Sequence, residues 1–330
     1  MSRLIECVPN FSEGRDGTKI EALVAAMRGI KGAWVLDLHN DADHNRCVVT
    51  LAGTPEPVVE AALSGAAKAA ELIDLRRHRG EHPRIGAIDV LPIVPIEGVS
   101  MEDCVALARR AGQEIWTRYK IPVYFYEEAA LRPERKRLES VRSGEFEYLR
   151  DEVLRNSDRT PDLGGPALHP SAGAVAVGAR KSLIAYNVNL DTADVSIARR
   201  IARAIRASSG GMPHVKAIGV ELRERKLAQV STNLTDFEQT SIRSVFDAVR
   251  QEAARNGCAI HSSEIVGLVP QKAIDPGDAS YLQLENFAPQ NKILETRLEM
   301  EINEVARKGI SLHSSPTENG TKNRASKVKK

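Results

Sequence analysis

Short apolar runs alternate with amphipathic stretches along this chain, and the order in which they come repeats. Residues 4–8 (Leu-Ile-Glu-Cys-Val) read as a strand stopped by Pro9 and followed by the polar turn Asn10-Phe11-Ser12-Glu13-Gly14. Ile20, Leu23, Val24 and Met27 recur at the spacing of one helix face, which closes near Gly32. Residues 34–38 and 47–52 are two further strands, separated by the polar loop from His39 to Arg46. Residues 55–75 form a helix with Val58, Val59, Ala62, Leu63 and Ala66 on one broad face, and residues 87–96 a fourth strand. That order is β-α-β-β-α-β. A helix from Ser100 towards Tyr119, opened by a capping box with Asp103 in place of the usual Glu, and a strand over 122–126 add one αβ pair.

Residues 129–155 are dense in Arg, Lys and Glu with few apolar anchors, which predicts solvated surface helices. Residues 156–173 are rich in Gly, Pro, Asp and Ser, too long for a bare connection unless they bind something or join two units. The order then starts again. A strand over 182–190 is followed by Asp191 as the cap of a helix carrying Val195, Ile197, Ile201 and Ile205. Strands follow over 216–222 and 227–232, then a helix from beyond Asp236 through Ala254, and a strand over 259–268. A repeated βαββαβ order is the signature of two ferredoxin-like α+β units, with two sheets, helices outside and a cleft between. The expected division is 1–180, 181–303 with a terminal helix over 293–302, and a disordered basic tail over 304–330.

Composition narrows the partners. With 330 residues, 42% of them hydrophobic, the chain can bury two modest cores. Lysine plus arginine (46) nearly balances aspartate plus glutamate (44), and only 4% of residues are aromatic, so neither nucleic acid nor an anionic membrane is an expected partner. Cys7, Cys47, Cys104 and Cys258 lie far apart without a CxxC pair, which points to reduced thiols rather than a disulfide framework or a zinc knuckle. Glu6, Pro9 and Glu13 interrupt any signal core, and no window reaches the roughly 18 apolar residues of a membrane span, so a cytoplasmic protein is expected.

The densest candidate chemistry is His78-Arg79-Gly80-Glu81-His82-Pro83-Arg84, at the entry to the fourth strand. Pro83 disfavours the helical region for His82 and fixes how its ring is presented. An imidazole suits general-base work on an amine, and Arg77, Arg79 and Arg84 can bind carboxylates as bidentate forks. The loop with Asp41, Asp43, His44 and Arg46 leaves the neighbouring strand and can meet His82. Three readings stay open on spacing alone: a base at His82, a divalent-metal site from His39, Asp41, His44, His78 and His82, or a hydrogen-bonded surface loop. No compact metal motif such as HExxH supports the second, and no metal is expected. Gly164, Gly165, Pro166, Ala167, Leu168, His169, Pro170, Ser171, Ala172 and Gly173 offer close backbone approach between rigid walls, suited to a flat ligand or to a plain linker. His214, His261 and His313 read as structural or solvated.

Glu6-Cys7-Val8-Pro9-Asn10-Phe11-Ser12-Glu13-Gly14, His44-Asn45-Arg46, Gly80-Glu81-His82-Pro83-Arg84-Ile85-Gly86-Ala87-Ile88-Asp89-Val90, Gly178-Ala179-Arg180-Lys181, Ala228-Gln229-Val230-Ser231-Thr232-Asn233-Leu234 and Gly267-Leu268-Val269-Pro270 resemble the glutamate formimidoyltransferase family, in order, over about residues 2–300. The resemblance implies transfer of a formimidoyl group from N-formimidoyl-L-glutamate to tetrahydrofolate in histidine breakdown. It further implies two α/β subdomains with facing sheets, folate in the groove between them, and a homodimer. It places the catalytic histidine on His82 and a folate-binding loop on Gly164 to Gly173. Arg84 is taken as catalytic beside His82 and, with Arg46, as the holder of the glutamate carboxylates, and His44 and Asn10 join Arg46 as expected substrate contacts. Because His39 stands where some members carry an acid, the partner of His82 falls to Asp37, Asp41 or Asp43, with Asp41 taken first. The bifunctional members continue into a cyclodeaminase domain, and a monofunctional chain is expected here. Related formyl transfer, folate cyclisation, a folate binder without transfer activity and a metal-dependent hydrolase are the rival readings.

Overall fold

The computed structural model describes residues 3–312 and contains two β-sheets, each backed by helices. The first expected strand is broken by Pro9 into β1 (Leu4–Cys7) and β2 (Asn10–Phe11). Both pieces pair with the same neighbours, β4 (Arg46–Gly53) and β5 (Ile88–Glu97), so together they occupy one strand position. The expected polar turn therefore begins inside the sheet. Helix α1 (Gly17–Arg28) is capped by the Asp16 side chain, and α2 (Pro55–Leu72) starts with proline at its first turn, where no backbone N–H is needed. β3 (Ala33–Asp41) and β4 form a hairpin whose register runs Asp41↔Arg46 and His39↔Val48, so half of the expected 39–46 loop is strand.

Helix α3 (Met101–Tyr119) carries the predicted capping box: the Asp103 N–H donates to Ser100 Oγ and the Ser100 N–H to Asp103 Oδ2, both at 3.1 Å. β6 (Val123–Glu127) and an unanticipated β7 (Val175–Ala179) complete the sheet, β7 lying parallel between β5 and β6. Val175 to Ala179 are buried throughout, so the strand shows no alternation that the sequence could betray. The spatial order is β3-β4-β1/β2-β5-β7-β6.

Residues 129–155 depart from the expected solvated helices. They form the short α4 (Leu138–Val141) and α5 (Glu145–Glu152), and they bury Val141, Phe146, Leu149 and the guanidinium of Arg135, which pairs with Asp162 at 2.5 Å. The charge run is thus partly an internal ion-pair layer.

The second sheet contains β8 (Ile184–Leu190), β9 (Val215–Leu222), β10 (Leu227–Leu234) and β11 (Ile260–Val266) in the order β9-β10-β8-β11. If β1/β2 counts as one strand, the first four strand positions of the first sheet have the same order. Helices α6 (Val195–Ile205) and α7 (Ile242–Arg255) pack on this sheet. Asp194, not Asp191, caps α6, accepting from the Ser196 N–H at 2.8 Å, while Asp191 accepts from the Ala259 N–H. After short turns α8 (Asp278–Tyr281) and α9 (Pro289–Lys292), α10 runs over Leu294–Leu312. Residues 304–312, expected in a disordered tail, continue that helix, with Glu304, Ala306, Arg307 and Lys308 of high helix propensity. The rest of the expected tail lies outside the described residues.

Strand alternation decides what each face does. Ile5, Cys7, Phe11, Cys47, Val49 and Leu51 are buried under α1 to α3, while Glu6, Val8, Asn10, Arg46, Val48 and Thr50 point to the other side. There Leu294 and Leu298 of α10 cover Leu36 and Ala52, and Arg297 donates to the Leu36 carbonyl at 3.2 Å. The face that points away from these helices is polar at Glu6, Asn10, Arg46 and Thr50.

Candidate active site

That face forms one wall of a cavity of about 870 Å³ to which both halves of the chain contribute. The first sheet supplies Glu6, Asn10, Asp37, His39, Arg46 and Tyr126, the 129–155 segment supplies Arg137 and Arg142, and the second half supplies Lys181, His214, Asn233, Thr235 and Asp236. His82 lies on the same wall.

The loop that carries His82 is locked to the β3–β4 hairpin. Asn45 sits at φ 48, its Oδ1 accepting from the Gly14 N–H and its amide donating to the Arg79 carbonyl, both at 2.9 Å. A Cβ on Gly80 would stand 2.3 Å from the His44 carbonyl oxygen, so only glycine allows this approach. His78 accepts from Arg84 Nε through Nδ1 at 3.0 Å, which leaves its Nε2–H to donate to the Asn45 carbonyl at 2.9 Å. His78 is thus a buried strut, neutral because burial lowers its pKa.

Arg84 corrects an expectation. It is 5% exposed, lies outside the cavity lining, and spends its donors on His78, Glu145 (2.7 Å) and Glu147 (2.6 and 2.9 Å). It ties the loop to α5. The cation that does reach His82 is Arg46, whose guanidinium lies 2.6 Å from Nε2. Arginine has no acceptor, so Nε2 is unprotonated and the ring proton sits on Nδ1. Burial, then the charges of Arg46, Arg142 and His44, push the His82 pKa down to about 2, against a smaller upward pull from a hydrogen bond to the Pro83 backbone. His82 is a neutral imidazole in a cationic corner.

Asp41, expected as its partner, instead accepts from the His44 ring at 2.8 Å and from the backbone N–H groups of Asp43 and His44 at 2.9 Å. Burial pushes the Asp41 carboxyl up, but these bonds win and hold it below the usual range. It reaches His82 only indirectly, because the His44 ring stands edge-on to His82 with centroids 6.2 Å apart. His44 is exposed and outside the cavity lining, whereas Asn10 is in it. Asp37 and His39 are in it too.

The loop Gly164 to Gly173 is not brought to the cavity. Gly164 packs against Trp116, His169 Nδ1 accepts from the Ala172 N–H at 3.0 Å, and the Ser171 and Ala172 carbonyls accept from the N–H groups of Leu75 and Ala87. Gly165, Pro166, Ala167 and Pro170 are exposed, Leu168 and Ala172 are buried, and Pro170 to Ala172 form a turn.

Sequence reasoning missed several residues of the cavity. Arg142 came from a segment read as solvated. It pairs with buried Asp89, which also accepts from the Ile85 N–H at 2.8 Å, and its buried Nε has no partner among the described residues. His214, set aside as structural or solvated, lines the cavity in a left-handed backbone conformation at φ 59. Lys181 pairs with Asp236 at 2.6 Å on the opposite wall. A non-glycine residue with positive φ leaves no sequence signal, and Lys181 offered one only within a longer motif.

No group of three or more His, Cys, Asp or Glu side chains among the described residues could hold a metal ion, and no described helix is long and apolar enough to cross a membrane. The model of the formiminotransferase domain, N-terminal subdomain, matches residues 4–180, and that of the formiminotransferase domain matches residues 185–311. The chain belongs to the formiminotransferase family. A glutamate formimidoyltransferase of Streptococcus pyogenes serotype M1 is 44% identical over 90% of this chain and 99% of its own. One of Thermoplasma acidophilum is 44% identical over 91% and 99%. The formimidoyltransferase-cyclodeaminase of Rattus norvegicus is 44% identical over 87% of this chain, which spans 54% of that longer protein. Family and cavity thus bear on the same residues: the matched regions contribute one wall each.

Proposed function

We propose that this chain transfers the formimidoyl group of N-formimidoyl-L-glutamate to tetrahydrofolate, giving 5-formimidoyltetrahydrofolate and L-glutamate, in the cavity between two ferredoxin-like subdomains (1–180 and 181–303). The observation that carries the site assignment is the neutral His82, its Nε2 held by Arg46 on the wall of a cavity shared by both halves. The equal strand order of the two sheets supports the ferredoxin-like reading.

Transfer requires N5 of the reduced pterin to attack the amidine carbon. The N5–H proton leaves, the tetrahedral adduct collapses, and the departing glutamate nitrogen takes a proton. A neutral imidazole can perform both proton transfers. In the free protein its lone pair is occupied by Arg46, and its basicity is suppressed by burial and then by the charges of Arg46 and Arg142. The carboxylates of the donor are the natural counter-ions for Arg46, which among the described residues has no carboxylate in hydrogen-bond reach, with Arg142, paired to Asp89, adding positive charge beside it. Donor binding then draws Arg46 from Nε2 and offsets the positive charge, which raises the pKa of His82 towards the range where a base works. Substrate binding thereby switches on the base, and positioning by two cations contributes the rest. Incubation with both substrates and spectroscopic detection of 5-formimidoyltetrahydrofolate tests the assignment. Tight folate binding without product would make the chain a binder, and faster reaction with N-formyl-L-glutamate would make it a formyl transferase.

A further inference from the structure

Asp89 lies in β5 between the buried Ile88 and Val90 and is 2% exposed. The mechanism above gives it no role. One of its oxygens accepts from the Ile85 N–H at 2.8 Å and the other from Nη2 of Arg142. Ile85 is the third residue after His82, so a single carboxylate ties the loop that presents the imidazole to the segment that brings in Arg142. A second tie runs alongside it, since the Arg84 carbonyl accepts from the Phe146 N–H at 2.9 Å. Stability alone does not call for such a pair: a buried ion pair is often no better for a fold than apolar side chains of similar volume.

The charge of Asp89 reaches further than its bonds. Burial, then the charge of Arg142, disfavours the charged form of Arg46, and Asp89 is the first of the carboxylates that oppose this. Asp89 thus lets two guanidiniums stand together in a buried corner beside His82. Arg142 spends Nη2 on Asp89, while its Nη1 makes no hydrogen bond among the described residues and the side chain lines the cavity. The donor of the transfer proposed above carries two carboxylates separated by three carbon atoms. Its α-carboxylate hangs on the carbon that bears the formimidoyl nitrogen, so a donor held there by Arg46 has its amidine at His82. The γ-carboxylate is then left for a neighbouring cation.

We propose that Asp89 is a positioning residue that holds Arg142 beside Arg46 as a receptor for two carboxylates, Arg46 taking the one next to the reacting nitrogen and Arg142 the one at the end of the side chain. Resting on the transfer reaction above, this makes a dicarboxylate donor the one that the corner selects.

Asp89→Asn keeps the acceptor for the Ile85 N–H and removes the charge that holds Arg142. Steady-state kinetics should show the KM for N-formimidoyl-L-glutamate raised about tenfold or more, from the loss of a charged hydrogen bond to the ligand, with the KM for tetrahydrofolate unchanged. N-formimidoylglycine, which has the α-carboxylate and no other, separates positioning from a damaged fold. Its KM should stay near the wild-type value, so that the preference for the glutamyl donor shrinks about tenfold. Arg142→Gln should lose the same preference, and Asp89→Asn/Arg142→Gln should be no worse than Arg142→Gln in donor KM, because the two residues act as one unit. The double variant leaves no unpaired buried charge, so it carries the test even if Asp89→Asn alone does not fold. An unchanged donor KM, equal rises for both donors, a rise confined to tetrahydrofolate, or a double variant that keeps the wild-type preference overturns the proposal. Calorimetric titration with N-formimidoyl-L-glutamate in the absence of folate keeps the two levels apart: donor affinity that falls in Asp89→Asn, in a protein whose wild type forms no product, refutes the transfer reaction and leaves the positioning role standing.

Discussion

His82 is neutral because burial and then the charges of Arg46, Arg142 and His44 act on it, and among the described residues no carboxylate counters them at hydrogen-bond distance. If donor carboxylates relieve that field, the pH dependence must differ between free and substrate-bound protein. In kcat/KM, which reports the free protein, His82 stays unprotonated far below neutrality, so acidification down to about pH 5 should remove no base. In kcat, which reports the complex, the raised pKa brings an acid-side loss up towards neutral pH. The same limb in both profiles would contradict the switching role. Arg46→Ala should raise the donor KM about tenfold or more, since a charged hydrogen-bond partner is lost. Glu6 gives a stability prediction of opposite sign. Its folded pKa of about 7 lies above the unfolded value of 4.5, so its proton stabilises the fold below pH 4.5 and that contribution is lost as pH rises through 7. Denaturant titrations of Glu6→Gln and wild type should therefore diverge in favour of the variant by up to about 2 kcal/mol between pH 5 and pH 8. Arg84 was legible as important but not as a strut, because a guanidinium in a motif looks the same whether it faces a ligand or two glutamates on a helix still to come.

Among the elements, those with clean periodicity were readable and those defined by their surroundings were not. α1, α2 and α3 stand where apolar spacing and caps put them, and removal of the α3 cap by Ser100→Ala should cost about 1 kcal/mol with kcat unchanged. β7 escaped because a strand buried on both faces has no alternation, and the 129–155 segment misled because its arginines and glutamates satisfy one another inside the fold. That segment sets the loop of His82 through Arg84. Arg84→Met leaves half-exposed Glu145 and Glu147 and buried His78 without their donor and should lower stability by about 1–3 kcal/mol, read by thermal or denaturant unfolding, while the donor KM in the folded fraction stays near wild type. A tenfold KM rise at unchanged stability would instead make Arg84 a substrate anchor.

At the scale of the molecule, the doubled strand order was visible in the sequence, and so was the meeting of the 39–46 and 78–86 segments, although their strands are not adjacent as expected: β1/β2 lies between β4 and β5. The other wall was not. His214, Asn233, Thr235 and Asp236 reach the cavity only through the way the second sheet stands against the first, which no local pattern encodes. Whether His82 is the base of a transfer in this cavity is decided by the turnover of His82→Ala with tetrahydrofolate affinity measured in parallel. As the base, its loss lowers kcat for 5-formimidoyltetrahydrofolate about a hundredfold or more while folate affinity changes little; a kcat within a few-fold of wild type would contradict that role.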